Sequence, residues 1–168
     1  MYMAGEEKIV EKYYEPFPGK ILVVRFTFHG EIVTRISLGL GLHPTLVQSE
    51  SPISPQKELM ELLIESSPYK ISYSHYTAFQ KKVLTEVQKI PPGVTTTYGA
   101  IASAIGCGSP RAVGRALAAN TTPIIIPCHR VIRSGSRFRS HPSLGGFSQG
   151  LEIKKLLLRF EHENRCYE

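Results

Sequence analysis

The stretch Thr97-Tyr-Gly-Ala-Ile-Ala-Ser-Ala-Ile105-Gly-Cys-Gly-Ser109-Pro110-Arg-Ala-Val-Gly-Arg-Ala-Leu-Ala-Ala-Asn120 decides how the rest of the chain is read. Thr97 is a good N-cap for a short helix to Ile105, Gly106 to Ser109 is a four-residue turn, and Pro110 suits the first position of a second helix running through Asn120. Helix, Gly-containing turn and helix at this spacing predict a helix-turn-helix, whose second helix offers its N-terminal residues to DNA. Val113 and Leu117, four apart, are expected to face the core. Arg111 and Arg115, also four apart, share another face, with Ala112 and Gly114 leaving little bulk between them. A groove-reading helix normally carries long polar side chains. This one has almost none, so it is expected to approach DNA closely and read backbone and shape. The plainer alternative is an ordinary helical hairpin of the core.

Charge sharpens that choice. The 168 residues carry a net +6 and a sequence pI near 9.3, but the charge is uneven. Residues 1–74 hold seven Lys/Arg against nine Glu, a net of −2, whereas residues 75–168 hold thirteen against five, a net of +8. The second half therefore holds the basic surface expected of a nucleic-acid binder.

Before the helical region, Gly19 to Phe28 is rich in β-branched and aromatic residues, His29-Gly30 marks a turn, and Glu31 to Leu38 alternates, which predicts a hairpin. Residues 39–54 read as loop. Pro55 to Ser66 carries Leu59, Leu62 and Leu63 at helical spacing behind Ser54, and residues 66–70 read as a linker. From Thr77, the residues Phe79, Val83, Leu84 and Val87 form an apolar stripe that Pro91-Pro92-Gly93 stops. The expected fold class is α+β: a small N-terminal antiparallel sheet with a helix (1–74, a scaffold), then a mainly helical domain with the helix-turn-helix (75–168).

At 42% hydrophobic residues the chain can bury a core. Its longest apolar runs are too short for a membrane span, so a soluble intracellular protein with no membrane contact is expected. Three cysteines without regular spacing, no Cys-x-x-Cys and no His pair at i, i+4 give no sign of a disulfide framework or a metal site.

The chemistry is expected in Thr121-Thr-Pro-Ile-Ile-Ile-Pro-Cys-His-Arg-Val-Ile132. A cysteine after a proline-bounded apolar run is usually a small buried hydrophobe. Here His129 adjoins Cys128 and Arg130 adds positive charge, both expected to favour thiolate in a group whose ordinary pKa is roughly 8.5. Adjacent side chains diverge, so Cys128 and His129 are expected to communicate across a turn or through a water. A carboxylate must orient the imidazole, and the helix from Gly150 to Glu163 offers Glu152, Glu161 and Glu163.

Pro127-Cys-His-Arg-Val131 resembles the active-site motif of the O6-alkylguanine-DNA alkyltransferase family. Tyr98-Gly99, Arg111-Ala-Val-Gly114, Asn120, Gly145-Gly-Phe-Ser148 and Gly150-Leu…Lys154…Leu-Leu…Glu161 follow in family order, so the likeness covers about residues 75–163. The resemblance implies direct-reversal repair, in which an alkyl group moves irreversibly from O6 of guanine, or O4 of thymine, to Cys128, one turnover per molecule and without a cofactor. It implies that His129 takes the thiol proton through a water, that Glu161 holds the imidazole, and that Tyr98 donates to guanine N3. It also implies that the Ser148 N–H serves O6 and the carbonyls of Cys128 and Val131 accept from the exocyclic amine, with Gly146, Phe147 and Lys154 completing the substrate site. On DNA it implies Arg111 as a finger in the base stack, Ala112, Gly114, Arg115 and Tyr98 beside it, and Asn120 in a structural role. The partner implied is double-stranded DNA containing O6-alkylguanine, met by a monomer in the cytoplasm at the nucleoid, or in the nucleus of a eukaryote. A non-catalytic alkyltransferase-like protein that only binds the lesion is the alternative, and the presence of Cys128 argues against it.

Three departures carry expectations of their own. Asn120-Thr121 stands where the family often has Asn-Pro, which is expected to loosen the turn. Phe147 replaces the more usual Tyr. Arg133 to Leu144 is longer than the family's loop, and its Arg137, Phe138, Arg139 and His141 are candidates to grip a phosphate or cover the pocket.

Overall fold

A computed structural model describes residues 6–41, 53–63, 69–135 and 144–164. The expected hairpin is present as β2 (Lys20–His29) and β3 (Ile32–Gly41), turning at Gly30, whose φ of 60° suits a residue without a Cβ. Leu22, Val24 and Phe26 of β2 and Val33, Ile36 and Leu38 of β3 are buried. A bulge between Thr27 and Phe28 shifts the register of the pair.

Three strands of this sheet went unread in the sequence. β1 (Glu7–Phe17) pairs antiparallel with β2 from Glu7↔His29 to Phe17↔Lys20. Two-residue β4 (Ile53–Ser54) and β5 (Lys70–Ile71) add parallel edges, giving the order β4-β1-β2-β3-β5. The loop expected over 39–54 therefore begins and ends in strand, and the expected linker ends in β5; residues 42–52 and 64–68 lie outside the described residues. α1 (Gln56–Leu63) buries Leu59, Leu62 and Leu63 against the sheet, as the spacing requires.

α2 (Ala78–Gln88) starts at Thr77, which forms a reciprocal capping box with Gln80. Val83, Leu84 and Val87 are buried. Phe79, expected in the same stripe, is instead 36% exposed on the first turn. α3 (Tyr98–Ala104) and α4 (Pro110–Ala118) follow, capped by Thr97 and Ser109, with Pro110 opening the second helix. α4 stops at Ala118 rather than Asn120. Val113, Ala116 and Leu117 face the core, and Arg111 and Arg115 are exposed.

α5 (Leu151–Glu163) joins the two halves. Its Ile153, Leu156, Leu157 and Phe160 share a core with β1, β2, β3 and α1. Lys154, Leu158 and Glu161, spaced four and three apart, form a second buried stripe, directed at residues 128–132 and 144–146. One apolar cluster thus runs across residue 74, and the sheet supports the helix that backs the site. Among the described residues no helix is long and apolar enough to cross a membrane.

Candidate active site

Cys128 opens a three-residue 3₁₀ turn, Cys128–Arg130, followed by β7 (Val131–Ile132), which pairs in parallel with β6 (Thr96–Thr97) just before α3. This short ladder fixes the nucleophile segment against the start of the helix pair. Upstream, Pro127 has φ −79° and ψ 58°, and the Cys128 N–H donates to the Ile126 carbonyl at 2.7 Å, an inverse γ-turn. Ile124 is buried at φ 77°, a left-handed conformation costly for a β-branched side chain. Such strain persists where surrounding contacts over-determine the chain. Here the Ile126 N–H donates to Thr122 O at 3.0 Å, and the Asn120 side-chain amide donates to Ile126 O at 3.0 Å.

Asn120 also donates to Cys128 Sγ at 3.1 Å, and its Oδ1 accepts from the Thr122 N–H at 3.0 Å. It therefore touches the sulfur directly as well as bracing the turn. Thr121 does not leave that turn loose, contrary to expectation. Its N–H donates to the Tyr76 hydroxyl at 2.9 Å, its hydroxyl lies 3.0 Å from the same oxygen, and its carbonyl accepts from the Ile36 N–H at 2.8 Å.

His129 is wholly buried, with Nε2 2.8 Å from Glu161 Oε1. Of the three carboxylates considered, Glu161 is the one the fold delivers to the ring. With Nε2–H donating to Glu161, Nδ1 carries the lone pair, and it has no hydrogen-bond partner among the described residues. Arg130 requires a correction. Its charge does not serve the thiol: the guanidinium is buried against Glu161 (2.8 Å), Ile90 O (2.5 Å) and Leu63 O (2.6 Å). The 3₁₀ turn swings it away from Cys128. Glu161 further accepts from the Gly93 N–H at 3.1 Å.

These contacts set the protonation states. Burial pushes the Cys128 thiol above its ordinary value, partly opposed by the Asn120 hydrogen bond and the Lys154 charge. The expectation that its neighbours favour resting thiolate is thus reversed. Burial lowers His129 below 6.5 despite Glu161, because Arg130 already balances the one carboxylate charge. Burial alone would raise Glu161, but His129 and Arg130 outweigh it and bring it down to about 2.

Lys154 also differs from expectation. Its ammonium is fully buried and donates to the carbonyls of Val131 (2.7 Å), Leu144 (2.8 Å) and Gly146 (3.3 Å). It lies behind the cavity wall and ties its two sides together, and burial lowers its pKa to about 8. Val131 is likewise buried away from the cavity surface, its carbonyl occupied in part by Lys154.

A cavity of about 520 Å³ opens over Cys128. Tyr98, Arg111, Gly114, Cys128, Arg133, Gly146, Phe147 and Ser148 line it, whereas Ala112 and Arg115 lie on α4 outside it. The Tyr98 hydroxyl donates to Gly146 O at 3.4 Å, and burial raises its pKa, so it keeps its proton at neutral pH. Gly145 has φ 76°, and a Cβ there would fall 2.8 Å from the Tyr98 hydroxyl, so only glycine fits both. Phe147 meets the His129 ring edge-on at 6.3 Å between centroids. Arg137, Phe138, Arg139 and His141 lie outside the described residues, as does Cys166. Among the described residues no His/Cys/Asp/Glu cluster could hold a metal.

The family model for the 6-O-methylguanine DNA methyltransferase DNA-binding domain matches residues 78–163. A methylated-DNA–protein-cysteine methyltransferase of Methanocaldococcus vulcanius is 48% identical over 93 residues, 55% of this chain. The chain spans about half, 51%, of that relative's length. The corresponding protein of Thermococcus kodakarensis is 34% identical over 156 residues, 86% of this chain and 85% of its own. Among solved structures, the O6-methylguanine-DNA methyltransferase of Pyrococcus kodakaraensis superposes with a TM-score of 0.69 at 25% identity, covering 92% of this chain and 99% of its own. Mycobacterium tuberculosis OGT in complex with DNA gives 0.62 at 26% identity, with 91% and 92% covered. With a model that matches half of the chain and a relative aligned over most of both, this chain belongs to the 6-O-methylguanine DNA methyltransferase family.

Proposed function

We propose that this protein repairs alkylated DNA by direct reversal, taking the alkyl group from O6 of a guanine, or O4 of a thymine, onto Cys128 and keeping it. The observation that carries this reading is Cys128 in the wall of a cavity bounded by the start of α4 and the 145–148 loop, with a buried His129–Glu161 pair behind it. A buried thiol is a poor nucleophile at rest, so it needs a base at the moment of reaction. Neutral His129 supplies one. Its Nδ1 takes the Cys128 proton through a water, while Glu161 and Arg130 hold the ring and its developing charge.

The sulfur then attacks the alkyl carbon. A C–S bond forms, the O6–C bond breaks, and its electron pair goes to the guanine oxygen. Tyr98 offers its hydroxyl proton to the base as negative charge builds, and the proton taken from Cys128 makes good that loss, so guanine leaves protonated and Cys128 stays a thioether. No cofactor is needed. The Ser148 N–H and the Cys128 carbonyl would orient the base, with Phe147 and Gly146 against its face, while Lys154, which takes up the Val131 carbonyl, holds the wall they stand on.

Lesions inside a duplex reach such a cavity only by extrusion, which costs a few kcal/mol. Arg111, exposed at the cavity rim, is suited to fill the stack, and Ala112, Gly114 and Arg115 let α4 lie close to the phosphates. On this reading residues 75–168 carry DNA binding and transfer and residues 1–74 support them. The protein would act as a monomer on duplex DNA in the cytoplasm, or in the nucleus of a eukaryotic host.

Intact mass after incubation with an oligonucleotide containing O6-methylguanine tests the reading. The expected result is one added methyl on Cys128, no further turnover, and none in Cys128→Ser. Repeated turnover, or label on Cys107 or Cys166, would overturn it.

A further inference from the structure

The loop that leads to Cys128 and the loop that lines the cavity at 145–148 are both fastened to one edge of β3. Beyond its pairing with β5 at Ile32 and Val33, that edge presents the N–H groups of Ile36 and Leu38. Ile36 N–H donates to Thr121 O at 2.8 Å, beside the Asn120 that holds Cys128 Sγ. Leu38 N–H donates to Gln149 Oε1 at 2.9 Å, beside Ser148 of the cavity wall. Groups two residues apart on a strand point the same way, separated by roughly 6.6 Å. One strand step therefore separates the fastening of the nucleophile's loop from that of the 145–148 wall.

The first fastening is backbone to backbone, but the second depends on a side chain. Lys154 holds the 144–149 loop at Leu144 and Gly146, and Phe147 is held by packing. At the far end Gln149 is the link to the sheet, and its amide nitrogen also lies 3.4 Å from Ser148 Oγ as donor. We infer that Gln149 is a positioning residue that fixes the Phe147–Ser148 wall against the N-terminal sheet and thereby sets the size of the group accepted at Cys128. The inference rests on the alkyl-transfer reading for its substrate and on the two hydrogen bonds for its geometry. It gives the N-terminal sheet a part in specificity although it contributes no residue to the cavity lining.

Gln149→Leu keeps the bulk and removes the amide; Gln149→Glu keeps an acceptor for Leu38 N–H. Single-turnover rates are measured on oligonucleotides carrying O6-methylguanine and O6-benzylguanine. In Gln149→Leu the benzyl-to-methyl rate ratio should rise roughly five- to tenfold, the factor set by one lost hydrogen bond. In Gln149→Glu it should stay near the wild-type value. Hydrogen exchange of residues 144–150 should quicken in the leucine variant alone. An unchanged ratio in Gln149→Leu, or an equal change in both variants, overturns the inference. If the wild type transfers neither group, the alkyl-transfer reading fails by itself. The anchor is then judged from that exchange and from Cys128 labelling by N-phenylmaleimide relative to iodoacetamide, located by peptide mass. A rise in that labelling ratio with faster exchange upholds the anchor, and no change in either removes it.

Discussion

His129, Arg130 and Glu161 divide two charges among three buried groups. The guanidinium balances the carboxylate, and burial keeps the imidazole neutral, so its folded pKa lies below 6.5. Below that pH the unfolded chain binds a proton that the folded chain refuses. The stability carried by the neutral ring is therefore complete above pH 6.5 and declines as pH falls. Glu161, depressed from 4.5 to about 2, adds stability present above 4.5 and lost as pH falls from there through 2. Urea unfolding should give a loss of up to about 1.4 kcal/mol per unit below pH 6.5, the linkage slope for one proton, whereas above pH 7 stability should rise as folded Lys154, lowered to about 8, loses a proton that the unfolded chain keeps. A His129 ring signal titrating at 6.5 or above would contradict this. At this scale the sequence displayed Cys128 and His129, because adjacent residues with complementary chemistry are visible in any fold. It did not display what Arg130 does, because Leu63 and Ile90, whose carbonyls it binds, are distant in sequence and the turn that directs it is three residues long. Lys154 was visible as a conspicuous charge among leucines, and its three carbonyl partners were not.

Among the elements, those that cap and bury themselves were legible. Thr97 marks α3 by a local capping hydrogen bond, Pro110 marks the first turn of α4 by its fixed φ, and Leu59, Leu62 and Leu63 declare a buried face by spacing alone. β1 was hidden because Glu7, Lys8, Glu11, Lys12 and Glu15 make it look like a solvated terminus; the sheet tolerates them by pairing Glu11 with Arg25 on the neighbouring strand. β4 and β5 are strands only by virtue of their partners, so two residues of sequence carry no signal. The segment between α4 and the nucleophile shows the same dependence on a distant element. Thr121 has an N–H that a proline would lack, and Tyr76, just before α2, accepts it. Tyr76→Phe removes that acceptor and the contact with the Thr121 hydroxyl together. The variant should lose about 1 kcal/mol of stability or slightly more in urea unfolding, as expected for a partly buried donor left unpaired. It should also react more slowly at Cys128, because Asn120 is the next residue. Stability and rate equal to wild type would show that the hydroxyl is not needed there.

Over the whole molecule, division of labour follows charge and burial. The sheet half is net acidic and shares its core with α5, while the basic half presents α4 and the cavity mouth. Arg111 and Arg133 line that mouth, both exposed, so positive charge is concentrated where a duplex must approach if a base is to reach Cys128. The two arginines need not act alike. Arg111 is the second residue of α4, on a helix with Gly114 and several alanines, and on the proposed reading it would enter the base stack once a nucleotide has left it. A free base needs no extrusion, and extrusion costs a few kcal/mol that an inserted guanidinium would partly offset. Arg111→Ala should therefore slow transfer from an O6-methylguanine duplex by roughly tenfold or more, since 1.4 kcal/mol of lost compensation is one factor of ten. Reaction with free O6-benzylguanine should change little. Arg133→Ala should act differently, weakening undamaged-DNA binding and reducing its salt slope by about one unit per phosphate contact. Single-turnover rates on the two substrates, with binding isotherms over a range of salt, separate these outcomes. Equal losses for Arg111→Ala on duplex and free base would mean that the arginine shapes the cavity and does not help open the duplex.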